Sequence, residues 1–266
     1  MGNALFIIWR ESAEAMLVIG ILYAWLRHQP DRAAGMRYLW GGVAAGIGLA
    51  LALALIMLGV IKTLSGDGLE RFQLAMMLIA ASLITQMVFW MRKHGRTLKR
   101  DLEADMALNA ERANWWGMLT VVALAVGRES SETVVFLYGF GFESHSASEW
   151  LLTVALGVGL AFVTFWALQR GSQIVSWRRF FQISEALLLL LASALVIAAV
   201  EKMIMLGWLP TGIDEVWDSS HLLDDGSTLG NLLASFTGYR AHPALTPLLA
   251  YLTYWTAVLL YRRRPA

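Results

Sequence analysis

Residues 127–133 read GRESSET, and they interrupt an apolar run that is otherwise long enough to cross a bilayer. The stretch puts Arg128, Glu129 and Glu132 where a hydrocarbon environment normally excludes charge. Near the start of the chain, residues 9–15 read WRESAEA and place Arg10, Glu11 and Glu14 inside another apolar run. The pattern Arg-Glu-x-x-Glu therefore occurs twice, each time in a segment that reads as a membrane helix.

The whole chain fits that reading. Of its 266 residues, 58% are hydrophobic and 15% are charged, against about 25% charged in a soluble domain. Seven apolar segments approach the roughly 20 residues that span a bilayer core: about 4–26, 38–61, 72–91, 115–140, 150–169, 181–205 and 244–261. Each is predicted to be a helix, because lipid offers no partner to open backbone groups. Trp40, Trp90, Trp115, Trp116, Trp150 and Trp208 fall near the proposed ends, as an interfacial belt would. The N-terminus lacks a basic region and its apolar run is broken at once by charge, so it does not read as a cleavable signal.

Loop charge predicts the orientation. Fifteen basic residues fall on one side: Arg27, Arg32, Arg37, Arg92, Lys93, Arg96, Lys99, Arg100, Arg112, Arg170, Arg178, Arg179 and Arg262 to Arg264. The other side has Lys62, Arg71, Lys202 and Arg240. The positive-inside rule then puts the N-terminus outside and the C-terminus in the cytoplasm. The two motif helices, the first and the fourth, run in opposite directions. Each opens a block of three helices, which predicts an all-α membrane protein built as a three-plus-three inverted repeat. Repeat one covers about 1–91, repeat two about 115–205, an outer loop 207–243 and a final helix 244–261, all within one membrane domain (1–266).

On a helix, residues three and four apart share a face. Glu11 and Glu14 thus project together, as do Glu129 and Glu132, with Arg10 in reach of Glu14 and Arg128 in reach of Glu132. Ser12, Ser130 and Ser131 add small polar oxygens. Both motifs sit in the central to outer part of the proposed bilayer, so four carboxylates would meet if the two helices touch. The bland alternative is a set of buried ion pairs that only fix helix packing. Each ionisable group at that depth costs roughly 2.5–3.5 kcal/mol on insertion scales, which makes six hard to explain by packing alone. Four oxygen ligands suit a hard cation.

Other polar residues divide between function and structure. Glu185 could be a cytoplasmic exit ligand or a carboxylate snorkelling beside Arg178 and Arg179. Glu201 and Lys202 read as an interfacial pair. Gly41, Gly42, Gly46 and Gly48 indicate close packing by the second helix. Met16, Met57, Met76, Met77 and Met87 read as core or lipid-facing residues rather than soft-metal ligands. The outer loop is acidic, with Asp214, Glu215, Asp218, Asp224 and Asp225 beside His221, and Glu143, His145 and Glu149 stand in the shorter one. These acids could gather cations in a vestibule or simply be solvated. Trp217, Leu222, Leu223, Leu232, Leu233 and Phe236 predict that part of the long loop folds back onto the membrane surface.

The chain has no cysteine, which excludes disulfides and thiol chemistry. No nucleotide-binding loop is present, and none of the five histidines falls in a metal-site pair along the sequence. A net charge of +1 gives no reason to expect a nucleic-acid partner.

The paired RESAE and RESSE resemble the hallmark repeat of the high-affinity ferric iron permease family, the oxidase-dependent iron transporters. The later stretches GWLP, VWDSSHLLDDGSTLGNLL and GYRAHPALTPLLAYLTYW are similar to that family's C-terminal pattern. The resemblance implies import of Fe(III) across a bacterial inner membrane, with Glu11, Glu14, Glu129 and Glu132 handling the ion and no permanently bound cofactor. It implies an outer-face or periplasmic partner that oxidises or delivers the iron. Some relatives are linked to other metals, so the motif leaves the ion open. A proton-coupled carrier of another cation and a non-transporting structural or sensory subunit remain the alternatives.

Overall fold

A computed structural model describes residues 2–29, 31–94, 104, 115–141, 146–170 and 177–263. Lys93, Arg96, Lys99, Arg100, Arg112, Glu143, His145, Arg178 and Arg264 lie outside the described side chains. Among the described residues the chain is all-helical: α1 (Gly2–Leu26), α2 (Arg32–Thr63), α3 (Asp67–His94), α4 (Trp115–Gly139), α5 (Ala147–Gln169), α6 (Trp177–Met205), α7 (Thr228–Thr237) and α8 (Leu245–Arg262). The long helices match the seven apolar segments but overrun several of them. Helices keep their own hydrogen bonds beyond the hydrocarbon, so apolar composition ends before the helix does.

Four helices, α2, α3, α5 and α6, are long and apolar enough to span a membrane on composition alone. α1 and α4 each carry three motif charges, and α8 is diluted by threonines and tyrosines. The surface of the bundle is apolar, with Leu49, Leu55 and Ile56 on α2 and Leu151, Phe162 and Val163 on α5 all exposed. A contiguous apolar surface of this kind identifies a multi-pass membrane protein, whose solvent is lipid. Exposed Trp40, Trp116, Trp150 and Trp208 fit an aromatic belt.

Packing follows an exchange pattern. α1 packs on α5, α4 packs on α2, α1 meets α4, and α3 meets α6. Each motif helix therefore leans on the helix that follows the other motif helix: α1 on α5 and α4 on α2. Glycine makes both crossings close. A Cβ at Gly46 would stand 2.7 Å from the backbone N of Gly127, the residue before Arg128. A Cβ at Gly157 of α5 would stand 3.3 Å from the backbone N of Trp9, the residue before Arg10. The two contacts are counterparts in the two blocks, and they press backbone against backbone beside each motif. Gly42 also faces α4, whereas Gly48 meets nothing within 4 Å, so the glycine row of α2 is only partly a packing surface.

The 206–244 segment is folded rather than loose. α7 begins at an N-cap, Ser227, whose hydroxyl accepts from Gly230 N at 3.1 Å. It ends on Gly238 with φ 74°, a left-handed cap that glycine adopts without strain. Asn3 Nδ2 donates to Ser235 O at 3.0 Å and Phe6 meets Phe236 edge-on, which ties α7 to the start of α1. Leu229, Leu232 and Leu233 stay exposed, so the segment keeps an apolar face.

Candidate functional site

Arg10 is fully buried, and Glu11 and Glu14 are nearly so. A guanidinium in that position needs negative partners on every side. Its Nη1 lies 2.8 Å from Glu11 Oε1, and Nη2 pairs with Glu14 one turn on. Nη1 also donates to Met87 Sδ of α3 at 3.0 Å. α4 brings a third carboxylate: one oxygen each of Glu11, Glu14 and Glu129 lies within 4.8 Å of the others.

The second motif is built differently. Arg128 Nε bonds Glu132 Oε1 at 2.8 Å, and the guanidinium lies 4.5 Å over the ring of Trp90. The Arg128 side chain is 41% exposed, against 0% for Arg10. Glu132 is held by Arg128 and does not join the three-carboxylate set, so three of the four expected carboxylates converge. Glu132 stays beside the set, its charge still acting on Glu11 and Glu14, but one of its oxygens is taken by the i,i+4 pair with Arg128, whereas Glu129 has no arginine one turn on. A small cavity of about 90 Å³ borders Glu14, Arg128 and Glu129, walled by Leu17, Trp90 and Phe181.

Oxygen atoms Glu11 Oε2, Glu129 Oε2 and Glu132 Oε2 are shielded and have no hydrogen-bond partner among the described residues. Leaving a buried acceptor unpaired costs about 1–3 kcal/mol, and more when it is charged. Of the converging set, Glu11 and Glu129 thus each keep an oxygen that a cation could take, at a cost that packing alone does not call for. Hard, oxygen-seeking cations are the ligands such a set suits.

The remaining candidates are placed elsewhere. Glu185 pairs with Arg92 Nε of α3 at 3.1 Å, near the end of the bundle opposite α7. Glu201 and Lys202 do not pair with each other. Glu201 takes both Nε and Nη2 of Arg240 at 2.7 Å, and Lys202 reaches Glu70 and the Gln73 amide oxygen. Successive residues on a helix point about 100° apart, so neighbours in sequence face different partners.

The five acidic residues of the long loop do not form one group. Asp224 Oδ1 accepts from Gly226 N at 2.8 Å, which braces its own turn. Asp214 is exposed. Asp225 Oδ2 lies 3.4 Å from Ala241 N. Only Glu215 and Asp218 converge, and they do so on His242, whose Nδ1 is 3.0 Å from Glu215 and whose Nε2 is 3.7 Å from Asp218. Backbone bonds from Val216 N to Pro243 O and Ser219 N to Ala241 O, both 3.0 Å, zip the two strands of chain together there. The hydrogen bond to Glu215 holds the imidazole pKa above its usual value, while bonds from Ser220 hold the Asp218 carboxyl below its own. A histidine beside two carboxylates thus exists despite the lack of any sequence pair, because this contact spans more than twenty residues. Met87, read from the sequence as core or lipid-facing, and Trp90, read as part of an interfacial belt, instead touch the two motif arginines, because contact across helices leaves no local mark.

An all-helical multi-pass membrane protein with a buried carboxylate centre is the form of a cation permease, and the comparisons with known proteins agree. The model of the iron permease FTR1 family matches residues 1–262, and the chain belongs to that family. Its members are transporters rather than enzymes. A ferrous iron permease EfeU of Yersinia pestis is 27% identical over 256 residues, covering 96% of this chain and 90% of the relative. A ferrous iron permease EfeU of Escherichia coli O6:H1 is 28% identical over 262 residues, covering 96% and 92%. No solved structure matches significantly.

Proposed function

We propose that this protein imports iron across the cytoplasmic membrane and that Glu11, Glu14 and Glu129 hold the ion in transit. Their convergence at the crossing of α1 and α4 is the observation that carries the reading. Glu132 serves by holding Arg128, and Arg10 offsets part of the negative charge when no ion is present. Three carboxylates against one buried arginine leave a net negative centre. A cation can then bind without being trapped, as conduction requires. Iron is cargo here, and no resident cofactor is part of the mechanism.

The membrane arrangement belongs to the same proposal. α1 to α6 and α8 make seven spans in a single domain, with the N-terminus outside and the C-terminus inside, as the basic loops argue. The paired glycine contacts beside the two motifs support an inverted repeat of α1–α3 and α4–α6, with α8 outside it. The segment carrying α7 then faces outward, and Glu185 with Arg92 lies toward the cytoplasm at the exit position.

The oxidation state has two readings. The charge of the carboxylate set suits Fe(III), generated at the outer face by a partner oxidase or iron-binding protein. The names of the bacterial relatives favour Fe(II). Uptake of radioactive iron by cells expressing the chain, with and without an oxidising partner and with and without reductant, tests both. Uptake that needs the oxidant supports Fe(III). Uptake that persists under reductant supports Fe(II). No uptake under any condition rejects iron import.

A further inference from the structure

Beside α7 lies a cavity of about 650 Å³ that none of the motif residues lines. Its polar walls come from Asn3 of α1, Gln73 of α3, and Asp225, Asn231 and Arg240 of the 206–244 segment. Arg240 is bound by both oxygens of Glu201, and the Gln73 oxygen accepts from Lys202, so Asp225 is the carboxylate of the wall. Asp225 accepts one long hydrogen bond, from Ala241 N at 3.4 Å, and its charge also faces Arg240, which Glu201 already holds, and His242.

The three helices that meet at the carboxylate centre, α1, α3 and α4, also build the floor of this cavity. On α1, Asn3, Ile7 and Glu11 fall four residues apart on one side. On α3, Gln73, Ala80 and Met87 fall seven apart; on α4, Phe136 and Glu129 keep to one face as well, with Phe140 just past the end of the helix. The first member of each series lines the cavity, and the last belongs to the carboxylate centre or touches Arg10. The middle members, Ile7, Ala80 and Phe136, have no exposed surface and share one apolar cluster. Asn3 and Glu11 are eight residues apart, about 12 Å along the helix, with Ile7 halfway. Three layers thus stack along one axis: polar cavity, apolar floor, charged centre.

From this stacking, resting on the transport reading above, we infer that the cavity is a loading chamber for a hydrated iron cation. Asp225 is its charged contact, and Ile7 with Phe136 is a plug between it and the carboxylate centre. The volume takes an ion with its water shell. One carboxylate with the unpartnered amide oxygen of Asn3 gives the weak, outer-sphere hold a first station needs. An apolar constriction blocks a hydrated ion by excluding water, so passage requires the plug to part. The bonds from α7 to the start of α1 place that segment where it can move the plug, since Asn3 and Ile7 share one side of the helix.

The test uses the full chain in its membrane and exploits the absence of native cysteine. Single cysteines are placed at Ala198, which lines the chamber, and at Ala80, in the floor. A membrane-impermeant thiol reagent is then applied from outside. The Ala198→Cys protein is expected to label, with Fe(II) or Fe(III) slowing the reaction and sodium at equal ionic strength leaving it unchanged. Running the two iron states as separate arms shows which one loads. Ala80→Cys is expected to stay unlabelled until Ile7→Ala or Phe136→Ala is added. Asp225→Asn is expected to raise the iron concentration needed for half protection by about tenfold, the loss of one modest charged contact. Labelling of Ala80→Cys in the unaltered background, or labelling at Ala198 that iron never slows, overturns the chamber. These readouts need no transport, so a chain that loads iron here but fails to import it would reject the permease reading and leave the chamber standing.

Discussion

The two copies of one five-residue pattern make different structures. In RESAE, Arg10 is sealed from solvent and holds both glutamates of its own copy, with Met87 closing the remaining side. In RESSE, Arg128 holds only Glu132, rests on Trp90 and stays half open beside a small cavity. Glu129 is thereby released to α1. One copy is a nearly self-neutralising core and the other lends a carboxylate to it. Identical spacing fixes which residues can pair along a helix, but the neighbouring helices decide which pairs form.

The largest effect that would break this contrast comes from the arginines. Arg10→Met strands three buried carboxylates and is expected to cost about 3–5 kcal/mol, the penalty for breaking a buried pair. Arg128→Met removes a half-exposed pair worth about 1 kcal/mol or less. Thermal unfolding and yield in detergent measure both, and equal losses would show that the copies are equivalent after all.

Function should divide along the carboxylates. Glu11→Gln, Glu14→Gln and Glu129→Gln each remove a member of the converging set and are expected to abolish iron uptake while the protein still inserts. Glu132→Gln, which acts through Arg128, is expected to reduce uptake by about tenfold, an effect of roughly 1.4 kcal/mol. If Glu129→Gln transports normally, the shared centre is wrong, and if Glu132→Gln is as severe as the others, Glu132 holds the ion directly.

Trp90→Leu sharpens the contrast further. It removes the ring beneath Arg128, a contact worth about 0.5–1 kcal/mol at an exposed position, and Arg10 has no such ring. A shift of a few degrees or less in unfolding temperature is expected, with a change in uptake rate only if Arg128 moves during transport. A loss as large as that of Arg10→Met would place Trp90 in the core of the centre.

The smallest effect lies outside both copies, at His242. Its pKa is raised in the folded protein by Glu215, so the stabilisation is complete below the unfolded value near 6.5 and fades as pH rises through the higher folded value. Asp218 shifts downward, and its contribution fades only as pH falls below the ordinary carboxylate range. Amide protection near residues 215–219 and 241–243, taken relative to the intrinsic exchange rate at each pH, is therefore expected to be greatest in mildly acidic buffer and smaller above neutral pH. His242→Gln should remove the pH dependence and leave iron uptake intact. Pronounced loss of uptake would bring the His242 cluster into the transport path.

Much of this was legible in the chain itself. Apolar runs of about twenty residues have one stable form in lipid, so helix positions follow from composition. The Arg-Glu-x-x-Glu spacing fixes the i,i+4 pairs for the same reason, since helical geometry is local. The pairing of Glu201 with Arg240, of Lys202 with Glu70, and of Glu185 with Arg92 was not legible, because a charged side chain takes whichever partner the neighbouring helix presents. The same holds for the acidic loop, where five similar residues separate into a turn brace, a cavity wall, a histidine clasp and one exposed carboxylate, Asp214.

The sequence by itself determined that this is a helical membrane protein with two charged motifs on separate helices, because the bilayer punishes open backbone and stray charge residue by residue. Only the tertiary structure decided that Glu129 and not Glu132 joins Glu11 and Glu14, and that a polar cavity stands behind an apolar floor above them. Those outcomes depend on how close two backbones approach, as at Gly46 with Gly127 and Gly157 with Trp9. Contact across helices is a property of packing, which no single segment contains.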